Sequence, residues 1–167
     1  MISRIDPAQN EFLAGLEARA KQPNPFFRVM AHRPKVLESF VPLYGAVMGA
    51  GPLDRRLKEM AYLATAMANH CPYCTASHKA GARKAGIIED EMQAIEREEN
   101  GGFSEVEQAV LTYARELTRT ANLSAAARDR VGAYLSEEQI VELTLVVAMA
   151  NFTNRFNNGL EILPEGQ

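Results

Sequence analysis

The sequence predicts an all-α protein. Runs of β-branched residues that alternate with polar residues between turn dipeptides, the pattern typical of strands, do not appear. Alanine, leucine, glutamate, arginine and methionine recur instead at spacings of three and four residues, which is the period of an amphipathic helix. Capping and breaking residues divide the chain into segments of helical length. Together these observations indicate a helical bundle with short connections.

The predicted helices follow in order from their caps and breaks. A cap residue places a side-chain acceptor before the first unpaired backbone N–H groups, and proline fits the first helical position. Five predicted starts carry such a signal: Asp6-Pro7, Asn24-Pro25, Asp54, Ser104 with Glu107, and Ser136 with Gln139. With breaks at proline, glycine and asparagine, they predict helices at 7–21, 25–32, 35–48, 55–69, 72–84, 89–98, 105–120, 125–132 and 137–157.

Length and charge limit the class of protein. A chain of 167 residues with 47% hydrophobic residues fits one domain, residues 1–167, that buries about 70% of its surface on folding. The 18 basic and 21 acidic side chains do not indicate a nucleic-acid partner. The N-terminus has no signal-peptide pattern, and no run reaches the roughly 18 apolar residues of a membrane helix. We therefore expect a cytoplasmic protein without a nucleic-acid or membrane partner.

Both cysteines and two of the three histidines fall within residues 59–78. Two cysteines are too few for a disulfide framework, and a chain of this size needs no staple, so metal or redox chemistry is the usual purpose. Pro72 fits the first turn of a helix, which places Cys71 at the N-cap and Cys74 in the first turn. Unpaired amides and the positive end of the helix dipole there favour a thiolate.

Helical geometry assigns partners to these cysteines. His78 lies one turn after Cys74 on the same face, where it can accept the thiol proton or hold the thiolate as an imidazolium. An unbroken helix would hold Glu59 about 18 Å from Cys71. A break at residues 69–72 lets the second helix fold back, so that Glu59 meets His78, orients the imidazole and raises its basicity. Cys71 and Cys74 are close enough in sequence to form a disulfide.

The order Glu, eleven residues, Cys-x-x-Cys, three residues, His resembles the active site of the alkylhydroperoxidase D-like (AhpD-like) proteins of the carboxymuconolactone decarboxylase superfamily. Here it is Glu59, Cys71, Cys74 and His78. The resemblance is specific over 54–86 and extends into 135–159, where residues 154–157 are similar to the tail of the peroxidase-related branch. It implies an AhpD-like helical bundle, a homo-oligomer (trimer or hexamer) and a thiol-dependent hydroperoxide reductase active in antioxidant defence.

The resemblance also implies a role for each residue. Cys74 attacks the peroxide, Cys71 resolves the product, and Glu59 and His78 relay protons. The Cys74 thiolate becomes a sulfenic acid, Cys71 condenses with it to a disulfide, and a dithiol reductant protein or small thiol resets the pair. The expected partners are thus a hydroperoxide and a thiol reductant, with no metal or organic cofactor. Some members carry histidine between the cysteines, where this chain has Tyr73.

Alternatives remain open for the cysteine pair. Free cysteines also pack as small hydrophobic residues without a task. Zinc is a second alternative, with ligands from Cys71, Cys74, His78 and either His70 or His32. A non-peroxidatic thiol-disulfide partner or redox sensor would use the same pair. A lactone enzyme of the carboxymuconolactone decarboxylase type would need no paired thiols, so Cys71 and Cys74 argue against it.

Three further groups of residues have expected structural roles. His32 and His70 suit a helix end and the surface, and Tyr62 and Tyr73 suit packing, although Tyr73 lies where it can line a substrate channel. Phe26, Phe27, Phe40 and Tyr44 form either core or an apolar pocket. A polar cluster at the end of the last helix suggests capping or inter-subunit hydrogen bonds, with substrate contact as the alternative: Asn151, Asn154, Arg155, Asn157 and Asn158.

Overall fold

Helices joined by short loops make up residues 2–164, the part of the chain that the computed structural model describes. Within these residues there is no strand, so the all-α prediction is confirmed. The α-helices are α1 (Glu11–Ala20), α2 (Pro25–Met30), α3 (Pro34–Met48), α4 (Arg55–Ala68), α5 (Pro72–Lys84), α6 (Glu89–Glu96), α7 (Glu105–Thr120), α8 (Ala125–Gly132) and α9 (Glu137–Gly159). None of these helices has the length and apolar character needed to cross a membrane.

The predicted helix at 7–21 is wrong at its start. Asp6 caps only a 3₁₀ turn, Pro7–Gln9, by accepting a hydrogen bond from the Ala8 N–H at 2.9 Å. Asn10 then adopts extended backbone and caps α1 by accepting from the Leu13 N–H at 2.9 Å. A second good cap residue four positions after the first therefore restarts the helix. The other predicted helices lie within two residues of those observed.

Helix α4 lies at the centre of the fold, packed against α5, α7 and α9. Every residue from Lys58 to Ala66 is buried, because neighbouring helices cover α4 on several sides. Two of these residues, Lys58 and Glu59, are charged. A buried charge is stable only with a partner, so both side chains must find one in the neighbouring helices.

The turn between α4 and α5 is only three residues long. The Cys71 N–H donates to the Ala66 carbonyl at 2.9 Å, and the His70 N–H donates to the Met67 carbonyl at 3.0 Å. These two bonds with a left-handed residue, His70 at φ 50°, form a Schellman motif that ends α4. Helix α5 begins at the next residue, Pro72, so the predicted break at residues 69–72 is confirmed.

A buried ion pair ties the loop before α4 to α9. Lys58 Nζ lies 2.6 Å from Glu142 Oε1 and also donates to the Gly49 carbonyl at 2.7 Å. The other carboxylate oxygen of Glu142 accepts the Leu53 N–H at 2.6 Å. A Cβ at Gly51 would lie 1.9 Å from this carboxylate, so only glycine leaves room for it. The pair fixes where α4 starts relative to α9.

Removing Glu142 should destabilise the protein strongly. The variant Glu142→Ala leaves the Lys58 ammonium, 1% exposed, without its counter-ion, and we expect a loss of about 3–5 kcal/mol in the free energy of unfolding. Urea denaturation measures it. The control Glu38→Ala removes an exposed carboxylate from α3 and should change the same quantity by less than about 0.5 kcal/mol. Similar losses in both variants would contradict this account.

Candidate active site

The two cysteines lie at the start of α5, as predicted. Cys71 is the N-cap residue, and its sulfur accepts a hydrogen bond from the Cys74 N–H at 3.4 Å. Both are free thiols and both are buried, with 1% and 2% of their surface exposed. The pair therefore lies between the end of α4 and the first turn of α5, where the Cys71 sulfur accepts a backbone N–H that no helical carbonyl can accept.

Helix α9 supplies polar contacts to one of the two sulfur atoms. Asn157 Nδ2 donates to Cys74 Sγ at 3.1 Å, and the Thr153 hydroxyl lies 4.0 Å from it. A hydrogen bond from the Cys71 thiol, followed by those from Asn157, Asn154 and Thr153, lowers the pKa of Cys74 to about 6 against the opposing effect of burial. The same Cys71–Cys74 hydrogen bond, with burial, raises the pKa of Cys71. The thiolate is thus held on Cys74 and the proton on Cys71.

A chain of hydrogen bonds runs from Glu59 through His78 to Tyr44. His78 Nδ1 lies 2.9 Å from Glu59 Oε2, so the predicted meeting of these two residues is confirmed. His78 Nε2 lies 2.9 Å from the Tyr44 hydroxyl. The Tyr62 ring stacks on the imidazole with 3.4 Å between ring centroids and 13° between planes, which holds the ring in this orientation.

This orientation differs from the expected contact between His78 and Cys74. Both ring nitrogens are occupied by Glu59 and Tyr44, because the imidazole turns across to α4 and α3 rather than along its own helix. The Cys74 sulfur instead contacts the Cys71 thiol, Asn157 and Thr153. The proton of Cys74 therefore has no direct path to the imidazole in this structure.

Gly81 makes room for the Glu59 carboxylate against α5. A Cβ at position 81 would lie 2.6 Å from Glu59 Oε1, closer than real Cβ contacts allow. Glu59 itself is 5% exposed, with the Arg55 guanidinium 3.9 Å from the same oxygen. Sequence reasoning missed Gly81, although a glycine inside a predicted helix is itself a signal of close packing.

A cavity of about 110 Å³ reaches the Cys74 sulfur. Cys74, His78, Thr153 and Asn157 supply polar groups to its lining. Most of the remaining wall is aromatic: Phe26, Phe27, Phe40, Tyr44, Tyr62 and Tyr73. The first four of these are the residues expected to form core or a pocket, and they do both: they lie in or against the core and line this cavity. Tyr73 also lines it, with its hydroxyl 3.1 Å from Asn24 Oδ1.

The polar cluster of α9 divides into two roles. The Asn69 carboxamide donates to Asn151 Oδ1 at 3.0 Å and to Asn154 Oδ1 at 2.9 Å, and Asn158 Nδ2 donates to the Asn69 carbonyl at 3.0 Å. These bonds hold the end of α4, which is the expected capping role. Exposed Arg155 contacts Asn151. Asn157 alone of the cluster lines the cavity, which sequence reasoning did not single out.

The two further histidines of the zinc alternative, His32 and His70, have separate positions. His32 Nε2 is bonded to the Ser3 carbonyl at 2.8 Å, and His70 is exposed on the turn. Within residues 2–164, no group of three or more histidine, cysteine, aspartate or glutamate side chains is arranged to hold a metal ion.

Comparison with known proteins identifies the family. Residues 34–116, which hold Glu59, both cysteines and His78, match the carboxymuconolactone decarboxylase family. The chain belongs to this family. A stretch of 59 residues is 36% identical to uncharacterized protein 4 in the cox locus of Paracoccus denitrificans. That match spans 35% of this chain and 53% of the relative, about half its length.

Solved structures of similar fold include proteins of different described function. The debrominase Bmp8 superposes with a TM-score of 0.86 over 99% of this chain and 92% of its own, at 20% identity. An AhpD-core, peroxidase-related protein from Ralstonia eutropha JMP134 superposes with a TM-score of 0.82 over 97% of this chain and 87% of its own, at 20% identity. A putative antioxidant defence protein AhpD from Agrobacterium tumefaciens superposes with a TM-score of 0.74 over 80% of this chain and 93% of its own, at 24% identity. These likenesses establish the AhpD-like fold of this carboxymuconolactone decarboxylase family member.

The lowered pKa of Cys74 should be visible in its alkylation. The variant Cys71→Ser keeps a hydroxyl donor and leaves one thiol. Its rate of iodoacetamide alkylation should reach a plateau at a much lower pH than that of an ordinary cysteine, whose pKa is about 8.5. Adding Asn157→Leu removes a second donor and should move the midpoint upward. Adding Asn158→Ala, which removes an amide that does not contact the sulfur, should not. A midpoint near that of a free thiol in Cys71→Ser would contradict thiolate activation.

Proposed function

We propose that the protein is a thiol-dependent hydroperoxide reductase. One observation carries the proposal: the sulfur with the lowered pKa and the end of the Glu59–His78–Tyr44 chain line the same small cavity. A peroxide bound there would meet a nucleophile and a proton donor together. Catalysis of peroxide reduction needs both, because one oxygen is attacked while the other leaves with a negative charge.

In the first step the Cys74 thiolate attacks the distal peroxide oxygen. The O–O bond breaks, Cys74 becomes a sulfenic acid, and the leaving alkoxide takes a proton from the Tyr44 hydroxyl. Burial, with the negative charge of Glu59, raises the pKa of Tyr44, so this hydroxyl is protonated before the reaction. His78, held by Glu59, returns a proton to Tyr44. Glu59 and His78 thus serve as the proton relay and Cys74 as the nucleophile.

In the second step Cys71 resolves the sulfenic acid. The Cys71 sulfur attacks Cys74, the S–O bond breaks, and the hydroxyl leaves as water with the Cys71 thiol proton. The buried Asn157 Oδ1 has no hydrogen-bond partner within the described residues, and the Nδ2 of the same side chain donates to the Cys74 sulfur. An S–OH group on Cys74 offers this oxygen a hydrogen-bond donor, which supports a sulfenic acid at this position.

A second candidate is reductive removal of halogen from a small aromatic compound. The aromatic wall of the cavity favours a flat ring, and Bmp8, of similar fold, is a debrominase that has been crystallised with 2,3,4-tribromopyrrole. The Cys74 thiolate would attack the halogen, the ring carbon would keep the bonding electrons and take a proton, and Cys71 would displace halide to form the disulfide. Release of bromide rather than alcohol distinguishes this candidate from the first.

We also propose that copies of this chain associate through α9. Val141, Leu145 and Phe152 are 60%, 48% and 48% exposed and share one side of the helix. An apolar stripe of this kind on an exposed helix is typical of an interface, which supports the homo-oligomer that the family resemblance implies.

Turnover of an organic hydroperoxide is the direct test of the proposal. With cumene hydroperoxide and excess dithiothreitol, the wild type should form cumyl alcohol continuously. Cys74→Ser should form none, because the nucleophile is lost. Without dithiothreitol, which would itself reduce a sulfenic acid, Cys71→Ser should consume about one equivalent of peroxide and accumulate sulfenic acid, which a dimedone adduct detects by mass spectrometry. A disulfide that forms readily in wild type without turnover would favour the redox sensor.

The role of Tyr44 predicts a dependence on the leaving group. In Tyr44→Phe, oxidation of Cys74 by cumene hydroperoxide should slow by about 100-fold, the lower end of general acid catalysis, because the alkoxide has lost its proton donor. With peracetic acid the loss should nearly vanish, because acetate leaves without a proton. The alkylation profile of Cys74 should stay unchanged. Equal slowing with both oxidants would show that Tyr44 acts on packing and not on the leaving group.

A further inference from the structure

A second recess reaches the cysteine pair from the other side of α5. Its volume is about 700 Å³, and Cys71 lines it whereas Cys74 does not. The cavity of about 110 Å³ described above, called here the substrate cavity, has the opposite arrangement: Cys74 is in its lining and Cys71 is not. The two cavities share no lining residue, so each sulfur has its own approach.

Helical geometry explains why the approaches are separate. Successive residues of an α-helix are rotated by about 100°, so positions 74, 77 and 78 share one face and positions 72, 75, 76 and 79 share the opposite face. The first set lines the substrate cavity and the second set lines the recess. Two neighbouring exposed residues, Ala76 and Ser77, therefore belong to different cavities.

The size and charge of the recess indicate what it accepts. The volume of the recess is in the range of small-molecule sites. Because Cys71 is only 1% exposed, a cysteine on the rigid surface of a folded partner protein could not reach it. Lys79, Arg115 and Arg119 give its lining three positive charges against the two negative charges of Glu96 and Glu98. Such a lining favours an anionic ligand.

We propose that a small anionic thiol enters this recess and reduces the Cys71–Cys74 disulfide by attack on Cys71, so that oxidant and reductant reach the pair from opposite faces of α5. The proposal rests on the redox cycle proposed above. The incoming thiolate forms a bond to Cys71 Sγ, the S–S bond breaks, and Cys74 leaves as a thiolate. A second thiolate attacks the sulfur of the small thiol in the mixed disulfide. The two small thiols leave as a disulfide, and Cys71 is released and takes a proton.

The chemistry of the pair agrees with this direction of attack. In thiol-disulfide exchange the sulfur of lower pKa is the better leaving group, and hydrogen bonding lowers the pKa of Cys74 and raises that of Cys71. A thiolate approaches the attacked sulfur from the side opposite to the breaking bond. Attack on Cys71 makes Cys74 the leaving sulfur, and the recess reaches Cys71 from the face of α5 opposite to Cys74.

Paired substitutions on α5 test the separation of the two approaches. Ala76→Phe fills the recess and Ser77→Phe fills the substrate cavity, and both sites are exposed, so both variants should fold. Oxidation of the reduced protein by cumene hydroperoxide and reduction of the diamide-formed disulfide by 2-mercaptoethanesulfonate are followed separately by stopped flow. Ala76→Phe should slow reduction by about tenfold or more and leave oxidation unchanged. Ser77→Phe should do the reverse.

The charge of the thiol tests the second part of the proposal. Compared per thiolate, 2-mercaptoethanesulfonate should reduce the wild-type disulfide faster than neutral 2-mercaptoethanol, and cationic cysteamine should be slowest. Lys79→Gln should weaken this preference by about threefold, and Lys84→Gln, exposed on the same helix outside the recess, should not.

Either of two results would overturn the proposal: reduction that is insensitive to Ala76→Phe and to thiol charge, or reduction that is fast only with thioredoxin. Because diamide forms the disulfide, the reduction is measured even in a protein that does not react with peroxide. Failure of the oxidation step alone would therefore count against the proposed function and not against this site.

Discussion

The short turn between α4 and α5 is the constraint on which the rest of the site depends. Cys71 belongs to both helices, because its N–H closes the Schellman motif of α4 while its sulfur and carbonyl accept the first N–H groups of α5. The chain reverses within three residues, and only this reversal brings Glu59 beside His78. The cost is a left-handed backbone at His70, about 1–2 kcal/mol for a residue other than glycine. The hydrogen bonds on either side of His70 offset that cost.

Burial and hydrogen bonding oppose each other at the cysteine pair, and their balance decides which sulfur is ionised. Burial alone disfavours a thiolate on either residue. The donors break the symmetry: Cys71 gives its thiol hydrogen to Cys74, and α9 adds Asn157, Asn154 and Thr153 on the same side. A Cys-x-x-Cys pair at a helix start therefore does not by itself select its nucleophile. The direction of the hydrogen bond between the two thiols does so, together with the polar groups of the helix packed against the pair.

This dependence explains what the sequence could predict and what it could not. The helix limits, the break before Pro72 and the contact between Glu59 and His78 are local, since each follows from caps, proline geometry or residues joined by one turn. Tyr44 and Asn157 come from α3 and α9, whose packing onto α5 depends on the whole core. The buried amide of Asn157, three residues after Asn154, was the available signal, because a buried polar group on a helix needs a partner. The false start at Pro7 has a local cause, since Asn10 is a competing cap.

The separation of His78 from Cys74 has a chemical advantage that a direct contact would lack. A proton donor beside a thiolate must be a weaker acid than the thiol, or it would protonate the nucleophile before substrate arrives. In a direct contact His78 would exchange a proton with the Cys74 thiolate, whose pKa is about 6. The Nε2 atom of His78 is hydrogen-bonded to Tyr44 instead, and burial raises the pKa of Tyr44 above that of an ordinary phenol. The Tyr44 hydroxyl does not protonate the thiolate, but it can protonate an alkoxide, because an alkoxide is a far stronger base. The order of acidity, with Cys74 first, Tyr44 second and the product alcohol last, therefore directs the proton to the leaving oxygen.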